Sequence, residues 1–344
     1  MDVNVGTFNL NNLFSRFNFQ ADLDTGSSSM VSVSSSLGGG SATSGLAAAG
    51  GEANESTAVY TFGDGSLIVR REYRGRLVKG KSETETKKIA KRILDSNVTV
   101  LAVQEVEDVV TLRAFVQDFL NNSYPYSILI EGNDPRLIDL AVLSRLPLGP
   151  ATSWQWATHP EAPGDPVFSR DLLEVEVLNA RGTARLFTLY NNHLKSQYVP
   201  FDQDQVAGTE AANTRRRQQA ETVARIIAAR QRPRSRYVLV GDLNEPPDSP
   251  RLAAIAASPV LRLVNGLATP RETRPAPRDT PPPPGPSWTH RFKPTGQPAQ
   301  YELFDQIWLS PALAERQMEG VIDRRTRLSG DGTDHDLAWV TLRL

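Results

Sequence analysis

Residues 237–245 read YVLVGDLNE, and this stretch decides how the remainder of the chain is understood. Val238 to Val240 is a short apolar strand that stops at Gly241 and then presents Asp242 and Asn244. Two short polar side chains, two positions apart at the end of a buried strand, point the same way. Strand ends of this kind are where open α/β proteins bind ligands and carry out chemistry. Gly-Asp and Leu-Asn are also ordinary turn pairs. Asp242 therefore gains meaning only if distant segments supply partners for it.

Composition bounds the class. Hydrophobic residues make up 39% and charged residues 22% of the 344, the balance of a globular chain with a buried core. No apolar run approaches the ~18 residues that a membrane helix needs. The opening Met1-Asp2-Val3-Asn4 lacks the basic start of a signal peptide, so the expected location is cytoplasmic, with no membrane contact and no protein partner indicated. The absence of cysteine excludes disulfides, thiolate nucleophiles and cysteine-ligated zinc. A formal net charge of −1 advertises no nucleic-acid binder, although a local basic patch can bind phosphate whatever the total.

Working outward, similar strand ends recur. Val3 to Phe14 opens with alternating Val3 and Val5 and leads to Asn9. The Gly-, Ser- and Ala-rich segment at about 25–57 cannot bury enough apolar surface to offset ordering, and is expected to be a flexible insertion. A basic run follows, with Arg70, Arg71, Arg74 and Arg76 as candidate phosphate-backbone contacts or simply a solvated strand. Ser82-Glu83-Thr84-Glu85 fits a capping box ahead of a helical stripe, Ile89, Ala90, Ile93 and Leu94. Val98 to Val103 is a strand ending at Glu105, either a salt-bridged strand end or a metal ligand. Asp139 interrupts the apolar run LIDLAVLS, and a buried Asp needs a partner. Arg170 precedes the strand DLLEVEVL, and Leu186 to Tyr190 leads into Asn191-Asn192-His193-Leu194-Lys195-Ser196. A lone strand-end His such as His193 is more often structural than catalytic on general grounds. Ala211 to Arg230 is a long amphipathic helix whose Arg215, Arg216 and Arg217 read most simply as its solvated face. A Pro-rich surface loop at about 270–286 precedes the Asp305 strand, and Asp334-His335 precedes the last one. Many strands and few helices suggest two packed sheets with helices outside.

Eight blocks carry these polar residues: TFNLNNL, VQEVE, IDLAVLSR, FSRDLLEVEV, NNHLKS, GDLNEPPDS, FDQIWLS and TDHDLAWV. In this order the chain resembles the endonuclease/exonuclease/phosphatase superfamily, the deoxyribonuclease-I-like fold, over nearly its full length from Asn9 to His335. The resemblance implies an α/β fold: a four-layer αββα sandwich of two mixed, mostly antiparallel sheets. It implies one closed domain over 1–344 with both chain ends meeting at one site, the insertion and the Pro-rich loop lying outside it. The Asp336-Leu337 that follows Asp334-His335 departs from the small residue and Pro of many relatives. His159 and His290 match nothing in the family pattern and read as surface or structural residues.

The resemblance implies metal-dependent hydrolysis of a phosphodiester, most simply in DNA, by in-line attack of water, and the residue types suit that chemistry. A divalent cation held by Glu105, with Asn9, Asp334 or water, would neutralise a phosphoryl oxygen and the leaving alkoxide. Mg2+ suits an oxygen-only site, with Mn2+ or Ca2+ as alternatives. Asp242 would deprotonate the water, and Asn244 would donate to a non-bridging oxygen. His335, held by Asp305, would be biased toward imidazolium. His193 would serve the leaving group or the phosphate, and Arg170 would clamp the phosphate. Asp139 would orient neighbours such as Arg170, while the role of Lys195 stays open. Two other readings share these residues: a phosphatase or phospholipase acting on inositol phosphates, nucleotides or lipid phosphodiesters, and a non-catalytic binding protein on the same fold.

Overall fold

Apolar side chains stand on both faces of most strands, so each sheet must be covered twice. The computed structural model describes residues 1–14, 17–21, 56–61, 67–72, 75–79, 81–200, 203–273, 287–292, 296–324 and 331–344, the strands between 17 and 79 by their backbone alone. These residues group into two compact units, Met1–Ser15 with Lys81–Leu344, and Arg16–Gly80. The smaller unit contains two antiparallel strand pairs, Phe17–Ala21 with Gly75–Lys79 and Ser56–Thr61 with Leu67–Glu72. Residues 25–55 of the Gly/Ser-rich segment, 274–286 of the Pro-rich loop and Arg74 lie outside the described residues, as do the side chains of Arg70, Arg71 and Arg76.

In the larger unit the strands of the two large sheets are, in chain order, β1 (Asp2–Leu13), β2 (Val100–Val106), β3 (Tyr126–Ile130), β4 (Asp139–Ser144), β5 (Leu148–Ser153), β6 (Leu172–Leu178), β7 (Arg185–His193), β8 (Tyr237–Asp242), β9 (Val264–Asn265), β10 (Arg271–Glu272), β11 (Asp305–Leu309), β12 (Gln317–Asp323) and β13 (Leu337–Arg343). The helices are α1 (Glu83–Ser96), α2 (Val109–Asp118) and α3 (Gln205–Arg230), with shorter turns between. One sheet runs β10-β12-β13-β1-β2-β4-β3 and the other β9-β11-β8-β7-β6-β5. The pairs β1–β2, β7–β8 and β10–β12 are parallel. The other ladders of these sheets are antiparallel.

Strand parity sorts the side chains into layers. Val3 and Val5, Val100 and Ala102, and Leu140 and Val142 meet Val175, Leu189, Val238, Val240 and Ile307 in a core between the sheets. Their neighbours of opposite parity, Phe8, Leu101, Val103, Leu143 and Trp339, pack with Ile89, Ile93, Leu112 and Phe115 of α1 and α2. On the far side of the other sheet, Tyr190, Leu239 and Trp308 pack with Ala220, Val223 and Ile227 of α3. The order of layers is therefore helix, sheet, sheet, helix. Each fully buried aliphatic side chain contributes about 1.5–3 kcal/mol.

Local signals start the helices. Ser82 Oγ accepts the Glu85 N–H at 3.3 Å, and Glu85 Oε2 accepts the Ser82 N–H at 3.2 Å, completing the capping box. Asp108 caps α2 by accepting the Thr111 N–H at 2.7 Å. The arginines of α3 do not share one solvated face. Arg216 lies on the same stripe as Ala212, Gln219, Ala220 and Val223, is 2% exposed, and pairs with Glu245 at 2.5 Å. No helix among the described residues is long and apolar enough to cross a membrane.

Gly241 precedes Asp242 within β8 with φ +138°, and a Cβ there would stand 1.8 Å from the Asn192 carbonyl oxygen of β7. That oxygen is backbone of a paired strand and has nowhere to move. Gly241→Ala is expected to lower unfolding stability by more than about 2 kcal/mol in denaturant titration. A midpoint equal to that of the parent protein contradicts this close approach.

Candidate active site

The parity that builds the core also builds a site at its edge. Asn9 continues the inter-sheet face of Val3 and Val5, His193 that of Phe187 and Leu189, Asp242 that of Val238 and Val240, and Asp305 that of Ile307 and Leu309. The apolar core thus ends in a polar rim. Glu105 breaks the pattern. By alternation it would follow Leu101 and Val103 toward the helices. Instead its backbone is left-handed at φ +62°, and the ladder slips between Gln104↔Leu140 and Val106↔Asp139. A non-Gly residue in this region costs about 1–2 kcal/mol, comparable to what the burial of one neighbouring Val returns. The bulge redirects the carboxylate toward β1, where Glu105 Oε2 accepts the Asn12 N–H at 3.0 Å. Asn11 and Asn12 are left-handed as well, at φ 48° and 60°, and the β1–β2 ladder is irregular after Asn9.

The result is a cleft of about 440 Å3 lined by Glu105, Arg136, His193, Asp242, Asn244, His290, Asp334 and His335, among others. Asn9 Nδ2 donates to Asp242 Oδ2 at 2.9 Å and to Glu105 Oε1 at 3.3 Å, while its Oδ1 accepts the Asn11 N–H at 2.9 Å. His193 Nε2 stands 3.6 Å from Asp242 Oδ2 and 3.9 Å from Glu105 Oε1. His335 Nδ1 is 2.6 Å from Asp305 Oδ2, and its Nε2 faces Asp242 Oδ2 at 3.8 Å and Asp334 Oδ1 at 3.9 Å. The Asn244 N–H donates to Asp242 Oδ1 at 2.9 Å, and Asn244 Nδ2 donates to the Leu194 carbonyl at 3.2 Å.

These contacts set the protonation states. Burial, the largest influence, and the Asp305 charge push the Asp242 carboxyl up to about 6, against the pull of His335 and the hydrogen bonds from Asn9 and Asn244. Burial alone would lower His335. The charge and hydrogen bond of Asp305, then the charges of Asp242 and Asp334, overcome this and raise it to about 10. Burial and the charges of Arg170 and Arg136 hold His193 well below its ordinary value, so its ring is neutral. Burial would raise Asp334, but a hydrogen bond from His290 and the charges of His335 and His290 hold it well below the usual carboxylate range. At neutral pH the site therefore holds a neutral imidazole, an imidazolium and several carboxylates.

Two residues, Arg170 and Asp139, sit elsewhere than their sequence roles suggest. Arg170 is 1% exposed, with its Nε 2.9 Å from Asp134 Oδ2 and its Nη1 donating to the Leu194 carbonyl, so it lies beneath the cleft and cannot clamp a phosphate there. Asp134 in turn accepts the Arg136 N–H at 3.0 Å and Arg136 Nε at 3.2 Å, and it is Arg136, with a side chain 42% exposed, that lines the cleft. Asp139 accepts the Gly132 N–H at 2.8 Å, so it braces the preceding loop, and the carboxylate beside Arg170 is Asp134. Lys195 turns its Nζ to the carbonyls of Ser196 at 3.1 Å and Tyr198 at 3.3 Å. Burial and the Arg170 and Arg136 charges lower this amine to about 8.

His290 is the residue that sequence reasoning misses. It bridges to His335 across the backbone, stacks on Phe304 with ring centres 5.1 Å apart, and reaches Asp334 Oδ2 at 3.5 Å. The only signal for it is its place in SWTHRF shortly before the Asp305 strand. His159 pairs with Glu221 at 2.8 Å on the α3 side, a structural role.

The donor set suits a hard cation. Glu105 and Asp334 bring carboxylate oxygens into the cleft, no thiol exists, and the Nδ1 of His335 is engaged by Asp305 at 2.6 Å. Among the described residues, two groupings have ligand atoms within 4.8 Å, His290–Asp334–His335 and Asp242–Asp305–His335. Both include His335, whose Nδ1 is 2.6 Å from Asp305 Oδ2.

The class that this sandwich and cleft define has a sequence profile. That of the Endonuclease/Exonuclease/phosphatase family matches residues 75–335, most of the chain, and the chain belongs to this family. Its fold is similar to that of an endonuclease/exonuclease/phosphatase from Bacteroides vulgatus (15% identity, 76% of this chain and 91% of that one, TM-score 0.53). It is also similar to an AP endonuclease from Archaeoglobus fulgidus (18%, 74% and 93%, TM-score 0.52) and to the human Nocturnin catalytic domain with bound sulfate (15%, 77% and 88%, TM-score 0.52). Comparison with curated protein sequences gave no significant match.

One buried carboxyl gives a pH test of the loop beside the cleft. Burial, opposed by the Gly132 hydrogen bond and reinforced by Glu131, Asp134 and Asp171, raises Asp139 from 3.8 to about 7. A raised folded-state value means that its contribution to stability is full below 3.8 and is lost as pH rises through about 7. Asp139→Asn keeps the acceptor for Gly132 and removes the titration. Its stability relative to the parent is expected to rise by roughly 2 kcal/mol between pH 5 and 8 in urea titrations. A difference that does not change with pH contradicts the assignment.

Proposed function

We propose that the protein is a divalent-metal-dependent phosphodiesterase and that it hydrolyses nucleic acid, DNA in the first instance. The supporting observation is Asp242: a buried carboxylate within 4 Å of one neutral and one charged imidazole, sharing the Asn9 amide with Glu105. Glu105 is the proposed metal ligand, with Asp334 and amide oxygens of the Asn9–Asn12 segment as candidates to complete the shell. When bound, Mg2+ (or Mn2+ or Ca2+) would neutralise a phosphoryl oxygen and the leaving oxygen.

The chain's own groups divide the remaining work. Asp242, with an affinity for protons near neutral pH, takes the proton of the attacking water. Asn244 has a second N–H beyond the one given to Leu194, and offers it to a non-bridging oxygen. The His335 imidazolium, oriented by Asp305, donates to the charge that develops in the transition state. His193 stays neutral and offers Nε2 toward the Asp242 side of the phosphate. Arg136 supplies the cation on the cleft wall that Arg170 cannot supply. Nucleic acid is the preferred substrate because fold neighbours include an AP endonuclease from Archaeoglobus fulgidus and a 3'-5' exonuclease from Neisseria meningitidis, and because the sequence carries a basic run, Arg70, Arg71, Arg74 and Arg76, of the kind that contacts phosphate. A phosphatase or phospholipase would use the same catalytic groups, and a panel of phosphodiesters and phosphomonoesters separates them.

With Mg2+ and a DNA substrate, Asp242→Asn and His335→Ala are each expected to lower kcat by about 100-fold or more, with circular dichroism unchanged. Chelation of the metal is expected to abolish turnover in the parent protein. Full activity in both variants, or activity indifferent to chelator, overturns the reading.

A further inference from the structure

Two aromatic rings at the mouth of the cleft have no part in the hydrolysis just described. Tyr198 is 59% exposed and Phe292 is 52% exposed, and both line the cavity that contains Asp242 and His335. An aromatic ring left in water forgoes the stabilisation of burial. Scattered exposed apolar residues are ordinary; two around one polar cleft, both on braced backbone, are not scattered.

The bracing is specific. The segment carrying Tyr198 is held from two sides and by one bond of its own. Lys195 Nζ donates to the Tyr198 carbonyl at 3.3 Å, Arg216 Nη1 donates to the Ser196 carbonyl at 2.9 Å, and Gln197 Nε2 donates to the Asn244 carbonyl at 3.0 Å. Arg216 is buried and held by Glu245 at 2.5 Å. Gln197 thus ties this surface loop to the residues after β8, Arg216 ties it to α3, and Lys195 closes it on itself, while the Tyr198 ring stays exposed. Phe292 ends the first arm of a short hairpin, His290–Phe292 against Gln300–Glu302. The base of that hairpin is fixed by the His290–His335 bridge, the His290–Phe304 stack and the Trp288–Tyr301 edge contact at 4.9 Å.

The chemistry of the mouth is therefore planar and apolar, with amide and carboxylate groups of Gln197, Gln300 and Glu302 close by. Beside a phosphodiester, the group with a flat apolar face and polar edges is a nucleobase. Inside a duplex both faces of a base are already stacked, and an aromatic ring at a phosphate cleft cannot reach them. In a single strand they are open, and stacking on aromatic side chains is the usual way that such strands are held.

Resting on the phosphodiesterase reading, we infer that Tyr198 and Phe292 form a stacking subsite for an unpaired nucleobase next to the scissile phosphate, so that the preferred substrate is single-stranded nucleic acid or a frayed strand end. Stacking there positions the adjoining phosphate over Asp242, and base identity matters little because every base has a flat face.

The test uses the full chain, a fluorescein-labelled dT12 strand, its duplex, and a strand of the same length with abasic tetrahydrofuran units around the cut position. Tyr198→Ala/Phe292→Ala is expected to lower kcat/KM on dT12 by roughly 5- to 100-fold, mainly through KM, and to leave the rate on the abasic strand unchanged. Equal losses on the two strands, no loss on either, or a parent enzyme that prefers the duplex overturns the subsite. Fluorescence anisotropy without added metal reads the same question apart from catalysis. Weaker dT12 binding by the double variant supports the subsite even if no diester is cut, in which case only the catalytic reading fails. Equal binding by both proteins together with unchanged turnover overturns it.

Discussion

Two carboxylates from different sheets, Glu105 and Asp242, share the hydrogens of one amide, and the rest of the site follows from that crowding. Like charges this close in a cleft repel by several kcal/mol unless something positive stands between or beside them. The protein supplies part of the compensation itself. His335 is kept protonated by Asp305 on its far nitrogen, and Arg136 and the buried Arg170 lie to one side. His193, the nearest ring to both carboxylates, is kept neutral by burial and by the same arginines, so it cannot neutralise them. The residual negative charge is what a divalent cation would satisfy.

Much of this was legible in the chain. Apolar residues two apart in VNV, VLAV, LAVL and VLVG give the two-faced strands, and the Ser82–Glu85 box marks the start of α1. The polar residues at the ends of such runs, Asn9, His193 and Asp242 after theirs and Asp305 at the start of its own, keep the parity of their strands and so arrive at one edge. What parity cannot foresee is a bulge. Glu105 has the wrong parity for the cleft and reaches it only through a left-handed backbone, which no Gly or Asn at that position announces.

The arginines show the other limit. Arg136 and Arg170 are indistinguishable as letters, and which one faces the cleft depends on the loop that carries Asp134 between them. Arg216 looks solvated beside Arg215 and Arg217, but helical spacing sets it on the buried stripe, where Glu245 and the Lys195 and Ser196 carbonyls receive it. His290 escaped because its hairpin is three residues long on each arm and carries no strand pattern of its own. The family-atypical Asp336 also acquires a reason. It is wholly buried between Arg92 and Arg324, each 3.2 Å away, so charge pairing braces the turn that carries His335.

The central claim is that Glu105 anchors a cation within reach of Asp242 and His335. Diffraction from crystals grown with Mn2+, recorded at the manganese edge, addresses it without any assay. The account predicts one anomalous peak at about 2.1 Å from a Glu105 carboxylate oxygen, inside the cleft. No peak in the cleft, or a peak bound only by residues outside it, would contradict the account.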